Sequence, residues 1–185
     1  MIDPLSIISK YYSEDSDAYQ ILVLHSQQVR DKALAIAKQH PEFDIDVTFL
    51  GEAAMLHDIG VIQCNAPDID CYGSHAYIEH GYLGAQMLRK EGLEKHALVC
   101  ERHTGVGLSA ATILRNKLPL PASDMLPISL EEKIICYADK FFSKSSLDRI
   151  HSLEYIRKDL KKYGEEELAT FDSWHLLFGE LASDR

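Results

Sequence analysis

The stretch AAMLHDIG, residues 53–60, sets a histidine and an aspartate side by side after an apolar run. Asp46 can cap a helix that continues through this pair and ends at Gly60. On such a helix, His57 and Asp58 share the apolar face or its edge. One His-Asp pair is close to what chance yields in a chain with 9 histidines. The stretch therefore indicates a chemical site only if other ionisable residues join it.

Helices predicted on either side of this stretch carry further histidines. Ser16 can cap a long helix whose apolar stripe, at three- and four-residue steps, includes His25. A helix over about 75–91 presents His80 on its inward side. A short helix then leads to His103. Three separate helices are thus predicted to bring a histidine toward the same interior.

The rest of the chain is also predicted to be helical. A capping box, SLEE at 129–132, opens a helix that carries Asp139 on the same side as Ile135 and Phe142. No sustained alternation of polar and apolar residues supports strands. The proline-rich stretch KLPLPASDMLP, residues 117–127, is predicted to be a loop.

These patterns predict one all-α domain, a helical bundle that spans residues 1–185. Its core would comprise about residues 20–145. The C-terminal helices, predicted over about 152–163 and 165–182, would form an appendage, residues 150–183, packed on that core.

Composition and charge exclude several classes of protein. A net charge of −10 argues against a broad surface for nucleic-acid polymers, which need clustered lysine and arginine. No apolar run approaches the roughly 18 residues of a membrane span, and the N-terminus lacks the pattern of a signal peptide. The four cysteines form no Cys-x-x-Cys pair. We therefore expect a cytoplasmic protein with no membrane and no nucleic-acid polymer as a partner.

A set of ionisable residues on apolar helix faces has one economical explanation. A lone buried histidine is more often an ordinary hydrogen-bonded core residue, but several such groups with buried carboxylates call for a cation. Imidazole and carboxylate ligands suit Fe, Mn, Co, Ni or Zn. One divalent ion would leave the site neutral. Two would leave it at about +2, which attracts phosphate, and Asp58 would then be the natural bridge between them. The candidate metal ligands are His25, His57, Asp58, His80, His103 and Asp139.

The spacing of these residues resembles that of the HD superfamily of metal-dependent phosphohydrolases, in the HDIG subgroup. The segments IEHGYLGAQML, ERHTG and EKIICYADK resemble the parts of binuclear members that supply the later ligands. The resemblance covers roughly residues 20–145 and implies an all-α fold with two ions held by the six candidates. Members that cleave cyclic di-GMP carry a lysine where this chain has Val61, and they carry a Gly-Tyr-Pro motif that this chain lacks. These differences argue against cyclic di-GMP as the substrate. The pattern is closest to small stand-alone members, which include hydrolases of symmetrical dinucleoside tetraphosphates.

This resemblance implies hydrolysis of a phosphate ester or anhydride, with a nucleotide as the expected substrate. Asp58 and His75 are the catalytic candidates, with His75 as a donor of a proton to the leaving group. Arg102, Lys140 and Lys144 are the candidates for binding the substrate's charge. Two alternatives stay open: a di-iron oxygenase and a non-catalytic module that senses a nucleotide. A homodimer is also left open.

Overall fold

The computed structural model describes residues 1–179, and in this part of the chain the predicted all-α class is confirmed. None of the helices among these residues is both long and apolar enough to cross a membrane. The α-helices are α1 (Pro4–Ile8), α2 (Asp17–Gln39), α3 (Val47–Leu56), α4 (His80–Lys90), α5 (Glu94–Arg102), α6 (Ala110–Arg115), α7 (Leu130–Asp139), α8 (Leu153–Leu160) and α9 (Glu165–Phe178).

The predicted starts of three helices are confirmed by their caps. The side chains of Ser16, Asp46 and Ser129 each accept a hydrogen bond from the backbone N–H three residues later. Such a cap satisfies one of the four backbone donors that a helix leaves unpaired at its N-terminus. The caps fix where α2, α3 and α7 begin, and thereby which faces of these helices turn inward.

The segment between α3 and α4 differs from the prediction. The helix over AAMLHDIG ends at Leu56, and Gly60 lies in a following 3₁₀ helix, Ile59–Gln63. The loop after it contains a short antiparallel hairpin of β1 (Asn65–Ala66) and β2 (Cys71–Tyr72). The backbone N–H of His75 donates to the carbonyl of Gln63, so residue 75 belongs to this extended region. The helix predicted from 75 therefore starts at His80, after a 3₁₀ turn.

Two further features of the helices depart from the prediction. Helix α6 is not predicted by the sequence pattern, because the stretch TGVGLS, residues 104–109, interrupts the helical periodicity. Ser109 at the end of this stretch nevertheless caps the new helix. Leu108, just before α6, pairs with Met125 of the proline-rich loop in an isolated β-bridge. The bridge joins the two ends of the segment that contains α6. Helix α9 ends at Phe178, and the last residues of the predicted 165–182 helix lie outside the described residues.

Apolar side chains form two buried clusters. The first joins α2, α3 and α7 to the C-terminal helices, with Val29, Leu50, Ile135 and Phe171 among its members. The second joins α1, α4 and α5 to the segment that follows α3. Helices α2 and α3 contribute to both clusters, and they carry buried polar residues between them. Burial of this apolar surface fixes the crossing of the helices on which the polar residues sit.

Candidate metal centre

Six buried polar side chains meet where five helices cross. All six are at most 9% exposed. A charge buried at such depth is unfavourable unless it is paired with an opposite charge or binds a cation. The residues are His25 in α2, His57 and Asp58 just after α3, His80 at the start of α4, His103 just after α5 and Asp139 at the end of α7.

One group of ligand atoms surrounds oxygen Oδ2 of Asp58. The Nε2 atom of His25 lies 3.1 Å from this oxygen and 3.1 Å from Oδ1 of Asp139. The Nε2 atom of His57 lies 3.0 Å from Oδ2 of Asp58 and 3.5 Å from the same oxygen of Asp139. Two imidazoles and two carboxylates thus converge on a single point.

A second group surrounds the other oxygen of the same carboxylate. The Nε2 atoms of His80 and His103 lie 3.3 and 3.2 Å from Oδ1 of Asp58, and 3.0 Å from each other. Within each group, the ligand atoms lie within 4.8 Å of one another, close enough to share one ion. Asp58 therefore has the geometry of a carboxylate that bridges two adjacent cation positions.

The local backbone sets the orientation of three of the histidine rings. Each ring places Nδ1 against the carbonyl oxygen of the residue three positions earlier. A carbonyl oxygen can only accept, so Nδ1 must carry the proton and Nε2 is left to bind a cation. The contacts are His57 to Ala54 at 2.7 Å, His80 to Tyr77 at 2.6 Å and His103 to Cys100 at 2.7 Å.

Several atoms of the cluster satisfy no hydrogen-bond geometry with any described residue. They are Nε2 of His25, Nε2 of His57 and both carboxylate oxygens of Asp58, all fully buried, although Oδ2 of Asp58 also forms an ion pair with Lys144. Buried polar atoms are seldom left without such a partner, and those that are need an explanation. Nitrogen and oxygen donors turned toward shared points fit a pair of divalent transition-metal ions.

Two lysines also contact the carboxylates. The Nζ atom of Lys144 lies 2.5 Å from Oδ2 of Asp58, and that of Lys140 lies 3.0 Å from Oδ2 of Asp139. Burial alone would raise the pKa of Asp58, but His57 and Lys144 outweigh burial and hold it well below the usual value. Burial likewise would lower the pKa of Lys144, which Asp58 instead raises. Burial would also raise the pKa of Asp139, but Lys140, His25 and His57 hold it well below the usual value. Both carboxylates are therefore ionised, as ligands must be.

His57 in the first group and His80 in the second differ in their protonation. Burial would lower the pKa of His57, but Asp58 and Asp139 raise it to about 9. Burial lowers the pKa of His80 to about 3. In the metal-free protein, a proton on His57 thus stands where a cation would bind, while His80 is already neutral. Metal binding and proton release are expected to be coupled at the first group.

Two glycines allow the second group to assemble. A Cβ atom at Gly60 would lie 2.1 Å from the carbonyl oxygen of His80, and one at Gly81 would lie 2.6 Å from that of Cys100. Real Cβ atoms do not approach backbone so closely. Glycine at these positions lets α4 pack directly on the segment after α3 and on α5, which brings His80 beside His103.

A cavity of about 690 Å³ opens from the cluster, and His80, His103 and Asp139 form part of its lining. Lys140 and Lys144, two of the predicted substrate-binding residues, also line it.

The other two candidates lie elsewhere. Arg102 does not line the cavity, and its Nη1 atom lies 3.0 Å from Oε1 of Glu132. His75 does not line it either, and its Nδ1 atom lies 3.2 Å from Oε1 of Glu79.

The sequence reasoning overlooked Tyr77. Its ring lies 4.8 Å from the ring of His80, and the Nζ atom of Lys144 lies 5.9 Å from the centre of the tyrosine ring. Tyr77 also lines the cavity and supplies the carbonyl oxygen that orients His80. The one available signal was its position three residues before a candidate ligand.

The helical fold and the buried cluster of candidate ligands define a class of all-α protein, and comparison with known proteins identifies the family. The HD domain profile matches residues 22–143, about two thirds of the chain. The chain belongs to the HD domain family, as the motif resemblance predicted. The matched range begins in α2 and ends just after α7, so it contains all six residues of the cluster.

Three relatives extend this picture. A protein of Methanocaldococcus jannaschii, described as uncharacterized, is 35% identical over 87% of this chain and 85% of its own length. A tRNA (cytidine(56)-2'-O)-methyltransferase of Thermoplasma volcanium is 30% identical over 89% of this chain. An enzyme of the same name from Picrophilus torridus is 31% identical over 84%. The chain spans 42% and 39% of the two methyltransferases. No solved structure was found to match it.

Proposed function

We propose that this protein is a metal-dependent phosphohydrolase whose substrate is a nucleotide. One observation carries the proposal: Asp58 directs one oxygen to His25, His57 and Asp139, and the other to His80 and His103. When bound to this set, two divalent ions would supply the acidity that ionises a water near neutral pH and would offset phosphoryl charge. Membership in the HD domain family supports the same chemistry.

The chain's own residues account for how a phosphoryl group would be held. His80, His103 and Asp139 form the inner end of the cavity, and Lys140 and Lys144 stand beside them. The carboxylates carry two negative charges, so a cluster filled by two divalent ions and flanked by two lysines is strongly positive. Such a pocket attracts a phosphorylated small molecule despite the net charge of −10 on the whole chain.

The two candidate residues outside the cavity are assigned no direct contact with the substrate. His75 is held by Glu79, and Arg102 is held by Glu132, so neither is presented to a substrate in the cavity. We therefore assign binding of substrate charge to Lys140 and Lys144. Protonation of the leaving group is left to a group or a water inside the cavity.

Replacing Lys144 by methionine should weaken substrate binding without emptying the metal site. Its ammonium group pairs with Asp58 in the metal-free protein and would be repelled by cations there, so we expect it to turn to phosphate. Losing a hydrogen bond to a charged group costs about 1.5–3 kcal/mol, which predicts a rise in KM of roughly 10- to 100-fold. Steady-state kinetics with parallel metal analysis measures both effects.

Lys144→Arg is the matched control, because it keeps the positive charge at the same place and should recover much of the affinity. If Lys144→Met had the KM of the parent protein, the lysine would have no part in substrate binding.

The proposed reaction is tested by incubating the protein, loaded separately with Mn²⁺, Fe²⁺, Co²⁺ or Zn²⁺, with a panel of nucleotides under anaerobic conditions. We expect release of phosphate or of a shorter nucleotide. Oxygen consumption by the iron form, with no hydrolysis by any form, would favour the di-iron oxygenase instead. Nucleotide binding with no turnover under either condition would favour the sensing module.

The two methyltransferase relatives favour a second candidate, an accessory role beside an RNA-modifying enzyme. In those proteins, a region similar to this chain forms part of a longer chain named for methylation of tRNA. The acidic surface of this chain disfavours direct tRNA binding, so the role would depend on a partner protein. Gel-shift titration with tRNA, expected to show no binding by this chain alone, checks that inference.

A further inference from the structure

The outer wall of the cavity is built by residues that the HD domain profile does not match. The profile ends at residue 143, whereas the cavity continues along α8 and the start of α9. His151, Tyr155, Asp159, Tyr163 and Glu167 all line it. The part of this chain beyond the family domain therefore faces whatever extends outward from the metal centre.

Helix α8 holds this wall in a fixed orientation. Ser152 caps the helix by accepting a hydrogen bond from the backbone N–H of Tyr155, which fixes the first turn. Ile156 and Leu160 also line the cavity, and, at 3% and 4% exposed, they anchor the helix in the first apolar cluster. Tyr155 and Asp159, one turn apart, are thereby presented to the cavity by a helix that cannot easily rotate.

The outer wall carries aromatic and acidic side chains, together with one lysine, Lys162. The ring of Tyr155 is paired with His151 at 4.2 Å between ring centres, and Tyr155 remains 45% exposed. Asp159 is paired with Lys162 at 2.8 Å, and Glu167 lines the cavity from α9. A planar uncharged group can stack on such a ring, and carboxylates accept hydrogen bonds from amino groups but repel phosphate.

We propose that the outer wall binds the nucleobase of the substrate, which stacks on Tyr155 and donates an exocyclic amino group to Asp159 or Glu167. The inference rests on the proposed function, since the phosphate end lies at the metal centre. It narrows the substrate class to nucleotides of adenine, guanine or cytosine, with the phosphate inward and the base outward. A sugar phosphate without a base would leave the outer wall unused.

The test compares equilibrium binding of AMP and of ribose 5-phosphate to the metal-loaded protein by titration calorimetry. Stacking is worth about 1–3 kcal/mol per base, so the parent should prefer AMP by roughly 5- to 150-fold. In Tyr155→Ala we expect that preference to be lost, and in Tyr155→Trp to be retained. Tyr72→Ala, which removes a tyrosine 72% exposed outside the cavity, is the matched control and should bind as the parent does.

Binding without turnover separates this inference from the proposed function. If AMP binding depends on Tyr155 but no nucleotide is hydrolysed, the base site stands and the proposed function fails. If nucleotides are hydrolysed while Tyr155→Ala keeps the full preference for AMP, the function stands and the base site is wrong. A parent protein that binds ribose 5-phosphate as tightly as AMP would also overturn the base site.

Discussion

Replacement of Asp58 by asparagine is expected to remove bound metal from both ligand groups and to abolish activity. The side chain keeps its shape but loses the charge and one of the two oxygens that face the two sets of histidines. Loss of one preorganised electrostatic contact typically costs about 10²–10³-fold in rate, and Asp58 contacts both groups. We therefore expect a rate loss of at least that size, with metal content well below that of the parent.

Asp139→Asn is the matched variant, because Asp139 belongs to only one of the two ligand groups, the one that contains His25 and His57. It should retain metal at His80 and His103 while losing it from the first group. Circular dichroism of each variant shows whether the fold is kept. An Asp58→Asn protein that retains the metal content and the rate of the parent would rule out the bridge.

Replacement of Gly60 by alanine should cause a large loss of stability for so small a change beside the site. The added methyl group would meet the carbonyl oxygen of His80 at 2.1 Å and the backbone nitrogen of Gly84 at 2.3 Å. Backbone atoms cannot rotate away as a side chain can, so α4 must shift. Overpacking costs about 1–3 kcal/mol or more. At about 2–4 °C per kcal/mol, the upper end of that range lowers Tm by roughly 6–12 °C.

Gly51→Ala is the control for this change, because it makes the same substitution inside α3. There the nearest atoms to a new methyl group are side-chain carbons of Leu34 at 3.9 Å. Alanine is favoured over glycine within a helix by about 0.5–1 kcal/mol, so Tm should rise slightly. Thermal unfolding of both variants gives the comparison, and a Gly60→Ala protein that melts with the parent would show that α4 does not pack as described.

Some features of the fold and of the cluster could be predicted from the sequence, and others could not. His25 and Asp139 could be named because helical periodicity alone shows which residues share an apolar face. The start of α4 was placed too early, since the backbone pairing of His75 with Gln63 depends on a turn that no periodic pattern reveals.

Features that depend on how the helices cross could not be predicted. The sequence suggests Arg102 as a residue that binds substrate, but it forms an ion pair with Glu132, which lies on another helix. The outer wall of the cavity was missed for the same reason, because a C-terminal segment read as an appendage also lines the site. The sequence predicts that Gly60 ends a helix. In the structure, its lack of a side chain allows α4 to pack closely against it.

Anomalous X-ray diffraction from crystals of the Mn²⁺-loaded protein measures most directly whether the six side chains hold metal. We predict two anomalous peaks, one beside Oδ2 of Asp58 among His25, His57 and Asp139, and one beside Oδ1 with His80 and His103. Crystals that bind Mn²⁺ elsewhere, or bind none, with the ammonium of Lys144 still on Asp58, would contradict the assignment of this cluster as a metal centre.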